Sequence, residues 1–276
     1  MTRRGDEYVP ATLRAEAMVG ATGVIKQGWE PPWTLEERLK FALFPTPLYM
    51  RYRLAKERRH GEKEIALIPF LADPARASLD IGANKGVFAW LLKDYSRKVF
   101  AFEPNPKMFR FLQRLAGDCI TVSSIALSDR SGSAILRVPR HRRGGFSNQG
   151  ASLSDIKVAD DYMGVEVKTK RLDDLNIENI GFIKIDVEGF EQSVLAGARE
   201  TIDRDHPSLL IEIEEAHTKQ PIEEAIAAVE ALGYRGLFLR HGVLQPIDVF
   251  DGNRHHRKPE IREDYVFNFI FLPKEA

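Results

Sequence analysis

The sequence predicts an α/β fold, a mostly parallel sheet with helices on both faces and an antiparallel edge. Three observations predict it. Between Ala77 and Gly233, short apolar runs alternate with helical runs at the length of βαβ units. A glycine turn, "DIGANKG", separates the first of these strands from its helix. After Gly233 the pattern changes to three strand-like runs with little helix between them, "YRGLFLR", "HGVLQPI" and "YVFNFIFLP". A parallel sheet that closes on a hairpin-like edge accommodates that change.

Composition bounds the rest. The chain has 276 residues, 43% of them hydrophobic, which suits one large domain or a domain with an extension. Lys plus Arg and Asp plus Glu both number 40, so there is no basic surplus to support non-specific nucleic-acid binding. The single cysteine, Cys119, excludes a disulfide framework within the chain and a Cys-rich metal site; it reads as a small core residue at the start of "CITVSS". No apolar run reaches the roughly eighteen residues of a spanning helix. The N-terminal "MTRRGDEYVP" lacks the apolar centre of a signal peptide. The expected setting is cytoplasmic.

The elements follow in order. Residues 1–60 read as an N-terminal helical extension and 61–276 as the main domain. Up to about residue 33 the extension is loosely organised. Thr34, with Glu37 three residues on, has the capping-box spacing and opens a helix "LEERLKFALF" that Pro45 and Pro47 should stop. Residues 48–59 interleave Arg51, Arg53, Lys56, Arg58 and Arg59 with apolar side chains, so this segment either packs as an ordinary solvated helix or touches an anionic membrane surface. "ASLDI", "KVFAFEP" and "CITVSSIAL" are the first three strands, with helices "GVFAWLLKDY" and "PKMFRFLQRLAG" between them. "GSAILRV" is an extra strand. The polar, glycine-rich loop at 139–155, with Arg140, Arg142 and Arg143, is a candidate lid over an acceptor. "FIKIDV" and "SLLIEIE" are buried strands flanking a helix "EQSVLAGARETI", and "PIEEAIAAVEALG" is the last long helix. His255-His256 reads as part of an exposed basic loop.

The glycine turn has the spacing G-x-x-x-G rather than the dinucleotide fingerprint G-x-G-x-x-G. Asp80, just before the first glycine, would repel a pyrophosphate and suit an ammonium group. Glu103, at the end of the second strand, could accept both hydroxyls of a ribose. S-adenosylmethionine fits the three features this suggests: a ribose, a cationic group and no pyrophosphate.

Five blocks in order, "LDIGANKGVFAWLL", "VFAFEPNP", "ALSDRSGSA", "RLDDL" and "IKIDVEGFEQSVLAGA", resemble the FkbM family of S-adenosylmethionine-dependent methyltransferases over residues 60 to 215. The resemblance implies a class I methyltransferase, Rossmann-like fold, with a seven-stranded sheet whose last strand is antiparallel. It implies O-methylation of a hydroxyl on a sugar, glycolipid or polyketide-type small molecule. Asp80, Gly82, Ala83, Asn84 and Gly86 would hold the methionine end of the cofactor, Glu103 and Pro104 the ribose, and Ala126 and Asp129 the adenine. A hydroxyl is a poor nucleophile at neutral pH, so a base or a metal is expected. Asp186 and Glu188 in "KIDVEGFE" share a strand face if the strand extends that far, and together could hold a divalent cation or take the proton. Glu212 and His217 in "IEIEEAH" are further candidates. Two competing readings are an NAD-linked oxidoreductase and a non-catalytic methyltransferase-like module held at a membrane by residues 48–59.

Overall fold

A computed structural model describes residues 23–26, 28–140, 145–148, 150–158 and 161–274. Arg142 and Arg143 of the candidate lid lie outside the described residues. The described chain opens with β1 (Val24–Ile25), α1 (Leu35–Leu43) and α2 (Thr46–His60). The capping box forms: the Glu37 amide donates to Thr34 Oγ1 at 3.1 Å, and the Thr34 amide donates to the Glu37 carboxylate at 2.9 Å. Pro47 does not stop a helix. It lies in the first turn of α2, where the missing N–H had no intrahelical partner to lose. Met50 anchors α2 in the core, and Gly61 ends it.

After α3 (Ile68–Leu71) come β2 (Ala77–Ile81), α4 (Val87–Leu92), β3 (Lys98–Phe102), α5 (Pro106–Leu112) and β4 (Ile120–Ser123). The run "CITVSSIAL" then divides. Its second half, β5 (Ala126–Leu127), leaves the main sheet and pairs in parallel with β7 (Tyr162–Lys170), which also forms an antiparallel hairpin with β6 (Gly132–Pro139). With β1 these strands make a second, four-stranded sheet that was not expected. The reason is general: alternation marks a strand but does not name its partner. Leu136, Val138, Val165 and Val167 form the apolar centre of this sheet, with Trp29 and Phe146 against them.

The chain returns through β8 (Ile180–Ile185), α6 (Glu191–Ala196), α7 (Arg199–Asp205), β9 (Ser208–Glu212), α8 (Glu215–Thr218) and α9 (Ile222–Glu230). The single helix expected over "EQSVLAGARETI" is broken at Gly197. A Cβ there would stand 1.9 Å from the Ser128 carbonyl oxygen, so the second sheet presses on this break. The edge is β10 (Tyr234–Arg240), β11 (Val243–Pro246) and β12 (Asn268–Pro273).

The main sheet runs β11-β10-β12-β9-β8-β2-β3-β4, and β12 is antiparallel to both β9 and β10. This is the expected class I arrangement, with β11 added as an eighth strand. Leu79, Ile81, Ile183, Ile185, Leu209 and Ile211 pack on α6, α7 and α9 on one face. Val99, Ala101, Phe182, Leu210 and Ile270 pack on α2, α4 and α5 on the other. Each fully buried aliphatic or aromatic side chain contributes about 1.5–3 kcal/mol.

Two small readings are corrected. Cys119 is exposed, not in the core. His255 and His256 are buried, not in an exposed loop: His255 Nδ1 accepts the Asp251 amide at 3.0 Å, and His256 Nδ1 lies 2.9 Å from the Val266 carbonyl. No described helix is long and apolar enough to cross a membrane.

Candidate functional site

Strand order reverses between β2 and β8, and in open α/β sheets that switch point is where ligands bind, beyond the C-terminal ends of the strands. A cavity of about 310 Å³ opens there. Its wall comes from the ends of β2, β3, β8 and β9, from β5 and β6 of the second sheet, from the loop at Asn148 and Ala151–Leu153, and from Glu62 after α2.

The glycine turn is shaped by the protein itself. Gly82 has φ +82°, and a Cβ there would lie 1.7 Å from the Asp186 carbonyl oxygen, so only glycine lets the ends of β2 and β8 approach this closely. The amides of Gly82 and Ala83 both donate to the Phe102 carbonyl, at 3.0 and 2.9 Å, and the Gly86 amide donates to Ala83 at 2.7 Å. The Asn84 amide donates to Glu103 Oε2 at 2.7 Å. With these four amides spent internally, the turn offers no cradle for a pyrophosphate.

Glu103 closes the turn from β3. Its other oxygen accepts the Asn105 amide at 2.7 Å. Burial pushes its carboxyl up to about 7, against the pull of those two amides. Asn105 caps α5, and its side-chain amide reaches Asn148 of the loop at 3.3 Å. Ile125, Ala126, Leu127 and Leu136 give the neighbouring wall an apolar surface.

Of the residues expected at a cofactor, Gly82, Asn84, Glu103, Pro104 and Ala126 line the cavity. Four do not. Ala83 is buried in the turn, and Gly86 opens α4 against Leu112 and Leu115. Asp129 accepts the Ser128 hydroxyl at 2.9 Å outside the cavity. Asp80 also stands off the cavity wall. It belongs to β2, so it points to a face of the sheet rather than out of its end. Its Oδ2 accepts the Ala89 amide of α4 at 2.8 Å, and its buried Oδ1 has no hydrogen-bond partner. Burial raises its carboxyl to about 6 despite Lys184, its register partner on β8.

Lys184 is a buried cation that the motifs did not single out. Its ammonium lies 2.8 Å from Asp186 Oδ2 and 4.7 Å from the centre of the Phe88 ring. Burial alone would depress it, but Asp186, Glu62 and Asp80 outweigh that and hold it charged. Glu62, also missed, lines the cavity, and burial lifts its carboxyl to about 7. Its Oε2 accepts the Asn268 side chain at 3.1 Å. A lysine inside the apolar run "FIKIDV" was a readable signal for the first. Glu62 gave none, because it arrives from a remote segment.

Asp186 and Glu188 both line the cavity but take different partners. β8 ends at Ile185, and Glu188 has φ +60°, so strand alternation no longer sets the direction of its side chain. Asp186 joins Lys184 and Glu212; burial and then Asp186 raise the Glu212 carboxyl well above the usual range. Glu188 lines the cavity but pairs with the Lys157 ammonium, and its carbonyl accepts the Ser152 hydroxyl at 2.6 Å. Its Oε2 is 3.4 Å from His217 Nε2. Both carboxylates of the expected metal pair thus already face an ammonium, Lys184 at Asp186 and Lys157 at Glu188. Ligand atoms of Glu188, Glu212 and His217 do gather within 4.8 Å, with Lys157 already supplying a positive charge to Glu188. His217 is not on the cavity wall, and burial, then Lys157, lowers its imidazole to about 4, a weak base.

Residues 80–235 match the methyltransferase FkbM domain. The chain belongs to the FkbM methyltransferase family. The nicotinamide reading falls with that match. Among curated relatives, the chain is 29% identical over 158 residues to 2-O-methyltransferase NoeI of Sinorhizobium fredii, covering 50% of this chain and 63% of that one. It is 29% identical over 193 residues to 31-O-demethyl-FK506 methyltransferase FkbM of Streptomyces tacrolimicus, covering 58% and 71%. It thus spans less than two thirds of the NoeI protein. A crystal structure of methyltransferase FkbM from Methylobacillus flagellatus overlaps 72% of this chain and 44% of that one, at 19% identity and a TM-score of 0.47.

Proposed function

We propose that this FkbM-family chain is an S-adenosylmethionine-dependent O-methyltransferase acting on a hydroxyl of a sugar, glycolipid or polyketide-type small molecule. The observation that carries the proposal is the charge of the cavity wall. Among the described residues five carboxyl groups line it, those of Glu62, Glu103, Asp186, Glu188 and Glu212, and no Lys, Arg or His does. Lys184 and Lys157 already pair with Asp186 and Glu188, and the wall grows more negative as Glu62 and Glu103 release protons around pH 7, which favours a cationic ligand and opposes a dianionic pyrophosphate. The volume, about 310 Å³, lies at the small end of ligand cavities, which run from about 300 to 1,000 Å³. The names of the two curated relatives, both O-methyl enzymes, support a hydroxyl acceptor.

When bound, S-adenosylmethionine supplies an electrophilic methyl group on a sulfonium. The chain's own residues do the rest. Glu103, held by two backbone amides, presents its remaining lone pairs to ribose hydroxyls. The apolar wall at Ile125, Ala126, Leu127 and Leu136 receives the adenine. Glu62 and Asn84 face the amino-acid end. Asp186 and Glu212 act as one unit: Lys184 stabilises charge on Asp186, and Glu212, hydrogen-bonded to it, binds protons more tightly than an ordinary carboxylate. That pair would be the group to take the acceptor's hydroxyl proton.

The test is transfer of labelled methyl from S-adenosylmethionine to sugar and macrolide hydroxyls, with calorimetry of cofactor binding. Glu212→Gln should lower turnover by roughly 100- to 10,000-fold while cofactor affinity stays within a few-fold. Tight S-adenosylmethionine binding without transfer to any hydroxyl would instead support the non-catalytic module. A chelator should leave turnover within about twofold, because Lys157 supplies the positive charge at Glu188; strict dependence on Mg²⁺ would refute that.

A further inference from the structure

We propose that α1 and α2 form a docking surface for an anionic lipid bilayer. On α1, Leu35, Leu39 and Leu43 follow one another at four-residue spacing and are 74%, 50% and 71% exposed. Next along the chain Phe44, Leu48 and Tyr52 are exposed as well, the latter two 57% and 62%. Side chains of this size standing clear of the protein in sequence form a patch that needs a partner.

Charge selects the partner. The whole chain has a formal net charge of zero, yet α2 carries five Lys and Arg against one Glu. Arg51, Lys56, Arg58 and Arg59 are exposed and none is ion-paired among the described residues. On a helical wheel Leu48, Tyr52 and Arg59 share the outward face, with Arg51 and Arg58 on one flank and Lys56 on the other. The dipole at the helix C-terminus accounts for Arg58 and Arg59 but not for Arg51. Apolar side chains flanked by long basic ones suit an interface in which the leucines enter the acyl boundary and the cations stay with anionic headgroups. A second copy of this surface would bring like charges together. Residues 1–22 carry three arginines and three acids, so they lack the negative surplus to neutralise α2. The docking helix runs straight into the site, since Gly61 caps it and the next residue, Glu62, lines the cavity.

The experiment is co-sedimentation of the full chain with vesicles of phosphatidylcholine alone and of phosphatidylcholine containing a third phosphatidylglycerol, at low and high salt. Binding should require the anionic lipid and fall as salt rises. Arg51→Glu with Arg58→Glu and Arg59→Glu should weaken it at least about tenfold, and so should Leu39→Ser with Leu43→Ser and Leu48→Ser. These positions are exposed, so both variants should melt and bind S-adenosylmethionine like the parent. Three outcomes would overturn the proposal: equal binding to neutral vesicles, binding untouched by either variant, or no vesicle binding together with self-association that the leucine variant abolishes. Because cofactor binding is read separately, failure here is distinguishable from failure of the methyltransferase reading.

Discussion

Glu103 and Asp80 both sit near the glycine turn, yet the structure assigns them different work. Glu103 bridges two backbone amides and faces the cavity. Glu103→Ala should weaken S-adenosylmethionine binding by roughly 10- to 100-fold, the worth of losing a charged hydrogen-bonding partner; an unchanged Kd in calorimetry would remove it from the site. Asp80 holds the start of α4 through the Ala89 amide. Asp80→Ala strands that amide and should cost about 1–3 kcal/mol in urea unfolding, whereas Asp80→Asn keeps an acceptor and should cost less. A drop in cofactor affinity beyond about tenfold in the Asn variant would return Asp80 to the ligand, since only direct contact explains a loss that large.

Two elements allow sharper tests. The capping box at Thr34 starts α1, a helix with no buried residue of its own. Propensity and capping therefore matter more there than in the core. Thr34→Ala should cost about 1 kcal/mol, read as roughly fivefold faster amide exchange across residues 35–43; unchanged exchange would mean that packing alone holds the helix. The crossing of β2 and β8 depends on Gly82. Gly82→Ala forces a left-handed residue and a methyl group onto the Asp186 carbonyl. The conformational part alone is about 1–2 kcal/mol, and the displaced carbonyl belongs to a residue of the proposed base, so stability and turnover should fall together.

For the whole molecule, the buried carboxylates set a pH dependence. Glu62 and Glu103 are raised from 4.5 to about 7 by burial, so the folded chain keeps protons that the unfolded chain has released. Their contribution to stability is present below 4.5 and is lost as pH rises through about 7. His217 acts in the opposite sense between about 4 and 6.5, so the carboxylates' effect is clearest above 6.5. The ligand-free protein should therefore melt a few degrees lower at about pH 8 than near neutrality or just below it. Glu62→Gln should flatten that slope, and S-adenosylmethionine, as a cation, should stabilise more at the higher pH. A melting temperature that climbs steadily over this range would contradict the buried-carboxylate account.

Much of this protein was local and therefore legible. The βαβ rhythm, the Thr34 cap, the antiparallel edge and the Glu103 position all follow from patterns within a few residues of each other. The family blocks add to those patterns, and the chain's match to FkbM over residues 80–235 spans the same stretches. Other features came only from the assembled chain. The second sheet depends on partners far apart in sequence, β1 with β7 and β5 with β7. Glu62 becomes a neighbour of Lys184 and Asp186 only when α2 leads onto the main sheet. Asp186 and Glu188 part company because β8 ends at Ile185, so a separation of two residues no longer means a shared face. Side-chain spacing reports direction only while the backbone stays regular. At a strand end, where chemistry is placed, direction and burial are decided by what packs around it.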